Sequence, residues 1–528
     1  MAITETRPTE VQTDGHGPIR DLRDWLRRVE RLGELQRIPA AVDPNEEMGA
    51  ITYLVAKQTP SPAILFETPR GYEASDVRLL WNVLGPSFRR VALTVEEPPD
   101  TPTLELIRRV KDKMQLRVPP REVRQDEAPV FQNTLTGDQI DLQQLPFPKH
   151  WPLDGGRYAG TADAVITRDP DSGYLNIGTY RMMVQGKNEC GLYLSPGKDA
   201  RLHIARAWER GQSIQVAAAW GIDPLFMVLG SQTFPKNLSE YEFAGGVKGE
   251  AIPVVRGQAT DLLLPANAEF VIEGEIGPNA VRREGPFGEF TGYYGRPEAG
   301  CPLVDIKAIH FRSQPILTNA LMADYPSCEQ SGFFSIARSA RIWSDLDRLG
   351  VPGIAGVYAH PASAGGFGMT VISLEQRYAG HAAQALALAA QVPGGSYYTK
   401  WIVAVDDDID PTDTDQVIWA MGSRCNPTED IDVLRNTWST WLDPTQNPPE
   451  ERPYGSKALI NACMEHRYLP VFSKRTTLRK EMYDQVAGRW SELGLSGEAP
   501  TVRAFEQEQT RTRYHEEGTF EPGAAPNM

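Results

Sequence analysis

Arg283 to Gly295 reads R-E-G-P-F-G-E-F-T-G-Y-Y-G, with two carboxylates, Glu284 and Glu289, on either side of Gly285-Pro286-Phe287-Gly288. Proline fixes φ and removes a backbone donor, and glycine permits positive φ, so this segment is expected to be a turn and not a helix. A turn can aim both acids into one pocket, and its glycines let a flat ligand approach the backbone. Like charges in a shared apolar site push one pKa upward, which suits paired carboxylates to general acid/base work. The competing reading is a solvated hairpin with two surface acids, since loops are usually polar.

A second constellation is Asn176-Ile177-Gly178-Thr179-Tyr180-Arg181. Residues five apart on a regular strand face opposite ways, so Asn176 and Arg181 serve one site only if the strand bends, which Gly178 allows. Arginine offers a fixed fork for a carboxylate or phosphate, and asparagine can ligate a hard cation. Taken alone, the segment also fits a purely structural strand. His203, in Arg-Leu-His-Ile-Ala, is a single helical histidine of the kind that usually packs or faces solvent, and Glu240 competes with Glu242 in Ser239-Glu-Tyr-Glu-Phe243. Together, Asn176, His203 and Glu240 make a mixed oxygen and nitrogen set suited to manganese or a similar divalent ion. The run Asp406-Asp-Asp-Ile-Asp410 reads as a solvated strand end, whereas Lys400, at the start of the same strand, is a candidate phosphate contact. P-loop, zincin, nucleophile-elbow and dinucleotide-binding signatures are absent from the sequence.

These residues must be carried by regular elements. Leu22, Trp25, Leu26, Val29 and Leu32 recur at helical spacing, with Gly33 as the cap, and strands are expected at Glu34–Ile38 and Ala63–Phe66. Leu104, Ile107, Val110 and Met114 mark another helix. Between about 130 and 320 the pattern changes to short β-type runs: Ala162–Thr167, Leu175–Val184, Gln215–Trp220, Phe226–Leu229, Ala259–Leu264 and Phe270–Ile276, with one interposed helix at Ala200–Arg210. That texture predicts an antiparallel sheet or barrel. Beyond 330, helices at Phe333–Leu349 and near 376–392 alternate with strands at Ile354–Tyr358, Met369–Ser373 and Trp401–Val405, the pattern of an α/β domain. The division is 1–17 loose N-terminus, 18–125 N-terminal α/β domain, 126–325 barrel domain, 326–496 C-terminal α/β domain and 497–528 polar, disordered tail.

The 528 residues carry 54 Lys+Arg against 69 Asp+Glu, a net charge of -15 that argues against nucleic acid or an anionic membrane as partner. Mean hydropathy is -0.38, that of a soluble globular protein. The most apolar helical run, His381–Val392, is too short to span a bilayer, and the first residues lack the basic and apolar segments of a signal peptide. Five scattered cysteines without a C-x-x-C pair fit a reducing cytoplasm.

N-I-G-T-Y-R (176–181), E-G-P-F-G-E-F-T-G-Y (284–293) and T-K-W-I-V-A-V-D-D-D-I-D (399–410) together resemble the UbiD-type decarboxylases, which use prenylated flavin mononucleotide (prenylated FMN). The resemblance runs from about residue 20 to 495. It implies an N-terminal α/β domain, a central split barrel like that of flavin reductases, and a C-terminal α/β domain often used for oligomerisation, as a dimer or hexamer. It further implies a cofactor phosphate held through a manganese-type divalent ion and potassium, with Asn176, His203 and Glu240 as divalent-metal ligands. Ile177, Thr179, Tyr180, Arg181, Leu192, Tyr193, Leu194 and Lys400 match cofactor contacts; Arg181, Glu284 and Glu289 match the catalytic arginine and two acids. The implied reaction is reversible loss of carbon dioxide from an aromatic or α,β-unsaturated acid, with the cofactor as electron sink. Arg181 orients the substrate carboxylate, Glu289 is the proton donor, and Glu284 tunes both. A flavin prenyltransferase supplies the cofactor. The segment Asn319–Phe334, with His360 and Gly365–Met369, is expected to line the substrate pocket and does not match the versions associated with cinnamate, protocatechuate or polyprenyl-hydroxybenzoate. A flavin-binding oxidoreductase on the same barrel, or a non-catalytic subunit of a carboxylase complex, are the alternatives.

Overall fold

The computed structural model describes residues 17–502 and 505, except 233, 236, 447, 449, 450, 470 and 471, so most of the N-terminal segment and polar tail lies outside it. The chain forms two compact units. The first comprises residues up to Thr101, Lys113–Pro286 and Glu298–Leu321; the second comprises Pro102–Asp112, Phe287–Pro297 and the chain from Met322 onward.

The first unit opens with the helix Leu22–Arg31, capped by Asp21, whose carboxylate accepts from the Asp24 amide at 2.8 Å. Its stripe of Leu22, Trp25, Leu26 and Val29 is buried, and Gly33 follows at φ 76°. A small sheet pairs Leu35–Val42, Ala63–Pro69, Arg78–Trp81 and Ile316–Thr318.

The main sheet runs in the order Tyr158–Gly160, Met182–Val184, Glu189–Leu192, Ala299–Phe311, Phe270–Ile276, Ile214–Trp220, Ala164–Arg168, Leu175–Gly178. Val281–Glu284 and Asn133–Thr136 pair with the long strand Ala299–Phe311. Only Thr179, Tyr180 and Arg181 join the strand at one edge to the strand next to the opposite edge. Four Cα steps reach at most about 14 Å, whereas six strand spacings in a flat sheet are about 29 Å. The sheet therefore has to curl into a half-barrel, and Arg181 sits in the seam.

The run Leu175–Val184, expected as one bent strand, is two strands, Leu175–Gly178 and Met182–Val184, that pair with different neighbours. Phe226–Leu229, expected as a strand, lies inside the helix Leu225–Gly230. A short apolar run buried on all sides carries no period to separate the two. With Asp199–Glu209 and Glu240–Lys248, this region holds three α-helices among the described residues rather than one. Of Ala259–Leu264, only its last two residues are strand, within Leu263–Pro265.

In the second unit a five-stranded sheet runs Ile354–Ala359, Met369–Leu374, Trp401–Asp406, Gly455–Ala462, Ile431–Thr437, with the middle three parallel. Val371, Val403, Val405, Ile460 and Ala462 pack there against Val417 and Ala420 of the helix Thr414–Arg424. The long helix Ser331–Arg348 is almost wholly buried. Lys111, from the helix Thr103–Lys113, pairs with Asp347 at 2.7 Å and lies 4.8 Å from the Trp343 ring centre. Asp406 is not a solvated strand end: it is buried, accepts from Gln376 at 2.7 Å and pairs with Arg424 at 3.0 Å.

Candidate active site

The barrel seam delivers Arg181 to Glu284. The guanidinium grips the carboxylate with two parallel bonds, Nε to Oε1 at 2.8 Å and Nη2 to Oε2 at 3.0 Å, and the two residues are 8% and 2% exposed. The Tyr158 hydroxyl donates to Glu284 Oε1 at 2.8 Å. Burial, with the Glu284 charge beside it, pushes the Tyr158 phenol up and keeps it a donor. The Tyr193 ring lies 4.1 Å from the Arg181 guanidinium, and its amide donates to the Arg181 carbonyl at 3.1 Å. The turn after Glu284 is seated by the Gly155 amide, which donates to the Pro286 carbonyl at 2.8 Å; a Cβ on Gly155 would overlap the Gly285 carbonyl. The buried, bidentate arginine is thus fixed at both ends before any ligand arrives.

Asn176, on the strand that leads into Arg181, is linked to His203 through Thr167 and neighbours Ile177, which Glu240 meets. Asn176 pairs across the sheet with Thr167, whose hydroxyl meets His203 Nδ1 at 3.0 Å. With Nδ1 so engaged, Nε2 is the ring nitrogen suited to ligate a metal. The Tyr174 ring stands edge-on to the imidazole at 5.3 Å. Glu240 opens the helix Glu240–Lys248 and accepts the Ile177 amide at 2.7 Å; burial pushes its carboxyl up to about 8. Glu240, and not half-buried Glu242, is the glutamate turned into this region.

The Asn176 amide nitrogen is buried without a hydrogen-bond partner. A buried amide, an imidazole and a buried carboxyl offer oxygen and nitrogen donors in one region, so these residues fit a divalent ion of the manganese type. Among the described residues no group of three or more His, Cys, Asp and Glu could hold a metal by itself. The set here has two such groups and an amide, so phosphate oxygens and water would complete the coordination.

Thr179 donates its amide to the Gly230 carbonyl at 3.4 Å, and the Tyr180 ring folds back over Gly178, where any Cβ would overlap it. Leu192, Tyr193 and Leu194 are buried at the end of the strand Glu189–Leu192.

Glu289 belongs to the second unit and is 7% exposed. Its amide donates to the Tyr293 carbonyl at 3.0 Å and its carbonyl accepts from Gly292, which stands at φ 80°. Burial of both Glu284 and Glu289 overturns the solvated-hairpin reading. Lys400 meets Asp443 Oδ1 at 2.9 Å and Thr445 Oγ1 at 3.3 Å. Tyr158 and Asp443 escaped the sequence reading because a lone tyrosine in a three-residue strand and an aspartate 43 residues after Lys400 carry no pattern.

Family models match most of the chain: the 3-octaprenyl-4-hydroxybenzoate carboxy-lyase N-terminal domain over residues 26–110, its Rift-related domain over 121–325, and its C-terminal domain over 332–462. The chain belongs to the UbiD family. It is accordingly an enzyme of the carboxy-lyase class, and the curled sheet is that family's central half-barrel. Among its UbiD relatives, the phenolic acid decarboxylase of Bacillus subtilis is 32% identical over 437 residues, 81% of this chain and 89% of that protein. The UbiD-class enzyme HmfF from Pelotomaculum thermopropionicum, solved in complex with FMN, superposes with TM-score 0.76 at 29% identity, covering 87% of this chain and 97% of that one. The vanillic acid decarboxylase of Sedimentibacter hydroxybenzoicus in closed form gives TM-score 0.80 at 28% identity, covering 90% and 99%. An evolved dimeric HmfF was solved with prenylated FMN, TM-score 0.75 at 28% identity.

Proposed function

We propose that this UbiD-family enzyme uses prenylated FMN to decarboxylate, reversibly, an aromatic or α,β-unsaturated carboxylic acid. The observation that carries this reading is the buried Arg181–Glu284–Tyr158 network in the barrel seam; the HmfF structures with FMN and prenylated FMN support the cofactor. Asn176, His203 and Glu240 would hold its phosphate through a manganese-type ion, with potassium beside it, and Ile177, Thr179, Tyr180, Leu192, Tyr193, Leu194 and Lys400 would contact it. When bound, that cofactor supplies the electron sink for the pair released from the carbon–carboxylate bond.

The protein's own residues do the rest. Arg181, pre-oriented by Glu284 and the Tyr193 ring, aligns the substrate carboxylate as a charge-assisted hydrogen-bond donor. Carbon dioxide leaves, and Glu289 delivers its proton to the vacated carbon; a proton from solvent then restores Glu289, so each turnover consumes one carboxylate and one proton and releases one carbon dioxide. Run backward, Glu289 takes the proton and carbon dioxide adds, with mass action setting direction. Glu284 stays with Arg181 throughout. The domain division 18–125, 126–325 and 326–496 belongs to this reading, as do a flavin prenyltransferase as supplier, a homo-oligomer and a cytoplasmic location. Among the described residues no helix is long and apolar enough to cross a membrane, and no disulfide joins any of Cys190, Cys301, Cys328, Cys425 and Cys463.

Loaded enzyme should release carbon dioxide from at least one acid in a panel of aromatic and α,β-unsaturated carboxylic acids with no nicotinamide present. Dependence of turnover on a hydride donor would contradict the reading and favour an oxidoreductase. Separately, Asn176→Ala, His203→Ala and Glu240→Ala should each weaken retention of manganese and flavin together, because one ion serves both. Stoichiometry by metal analysis and flavin absorbance checks this; a His203→Ala protein with full metal and full flavin would remove the histidine from the set.

A further inference from the structure

Tyr398 stands at φ 64°, in the left-handed region that a bulky side chain rarely adopts. Two buried cations hold the backbone around it. Arg338, 3% exposed, donates from Nη2 to the Tyr397 carbonyl at 2.9 Å and to Thr399 Oγ1; Lys457, 1% exposed, donates to the carbonyls of Gly395 at 3.0 Å and Ser396 at 2.6 Å. The Tyr398 amide donates to the Trp438 carbonyl at 3.3 Å. Neither cation has a carboxylate partner among the described residues, and burial pushes Arg338 down to about 9 and Lys457 down to about 7. Burying two uncompensated charges is unfavourable, so what they secure should matter to function.

What they secure is the direction of one ring. Tyr398 packs edge-on against Phe290 at 5.7 Å and 90°, and against Phe367 at 6.0 Å and 86°; Phe290 also lies 4.7 Å from Phe367. Phe290 is the residue after Glu289. In a regular extended backbone the side chain at 398 would point elsewhere, because left-handed φ redirects it. Arg338 lies 5.1 Å from the Phe367 ring centre and 5.6 Å from Phe334, closing the cluster from behind.

We infer that Tyr398 is a positioning residue: Arg338 and Lys457 lock its left-handed turn, and its ring fixes Phe290 and with it the carboxyl of Glu289. The inference rests on Glu289 acting as proton donor. Displacing a catalytic group by about 1 Å can lower the rate about a hundredfold without changing what binds. The test uses holoenzyme loaded with prenylated FMN, rates expressed per bound flavin, and whichever acid of that panel turns over fastest. Tyr398→Phe keeps the ring and should stay within about twofold of the parent in kcat and KM. Tyr398→Leu and Arg338→Leu should lower kcat at least about tenfold while KM stays within about threefold. If Arg338→Leu fails to fold, Tyr398→Leu against Tyr398→Phe decides. A Tyr398→Leu enzyme at parental kcat, or a Tyr398→Phe enzyme as slow as Tyr398→Leu, overturns the inference. Glu289→Gln in the same series separates the two failures: if that variant is slow and Tyr398→Leu is not, only the positioning role falls, whereas a fast Glu289→Gln removes the donor itself.

Discussion

Glu289→Gln is expected to lose at least about two decades of turnover, because general acid catalysis contributes roughly 10²–10⁴-fold. Glutamine keeps the shape and a hydrogen-bond donor but has no acidic proton to give. The backbone bonds of residue 289 to Tyr293 and Gly292 do not involve the side chain, glutamine is of nearly the same size, and Phe290 keeps its contacts with Phe367 and Tyr398. Flavin and metal content should therefore stay near the parent value. Exchange of the product hydrogen for solvent deuterium needs the same proton delivery and should collapse in parallel. Glu284→Gln should also slow turnover, through its altered pairing with Arg181. A Glu289→Gln enzyme that decarboxylates at close to the parent rate, fully loaded, would place the acid elsewhere.

Arg181→Met should abolish measurable turnover and also destabilise the first unit by about 3–5 kcal/mol, the range for removing one partner of a buried ion pair. Glu284, 2% exposed in the parent, would keep the Tyr158 hydroxyl as a donor but lose its cation. A carboxylate stranded in that way is what makes the loss large, and denaturant unfolding measures it. Adding Glu284→Gln to Arg181→Met should recover much of the stability and none of the turnover. A single variant as stable as the parent would mean that the pair is not the anchor of the barrel seam.

Much of this chemistry was legible in the sequence because it is concentrated in short segments of unusual composition. Asn176 to Arg181 and Glu284 to Tyr293 combine glycine, proline and charge where an ordinary strand would alternate. The helix Leu22–Arg31 followed from a clean period of 3.6, and the strand Phe270–Ile276 from a short β-type run. What stayed hidden was decided by tertiary structure. Leu175–Val184 reads as one β-type run that Gly178 allows to bend, yet the chain leaves the sheet at Thr179 and its two halves pair with different neighbours to close the barrel. The helix Leu225–Gly230 is apolar on every face. Asp406 sits in a run of acids that looks solvated, and only the return of Arg424 makes it a buried ion pair. Arg338 and Lys457 gave no hint at all, because a cation bonded to carbonyls has no sequence-adjacent partner to betray it.

The central claim is that the half-barrel and its Asn176–His203–Glu240 cluster hold a prenylated flavin. The most direct measurement is the intact mass of the flavin released by denaturing protein purified from cells that also express a flavin prenyltransferase. The released flavin should have a mass equal to FMN plus the prenyl group, and it should be lost together with manganese in the Glu240→Ala protein. Release of unmodified flavin alone, or of no flavin across several metal supplements, would contradict that claim.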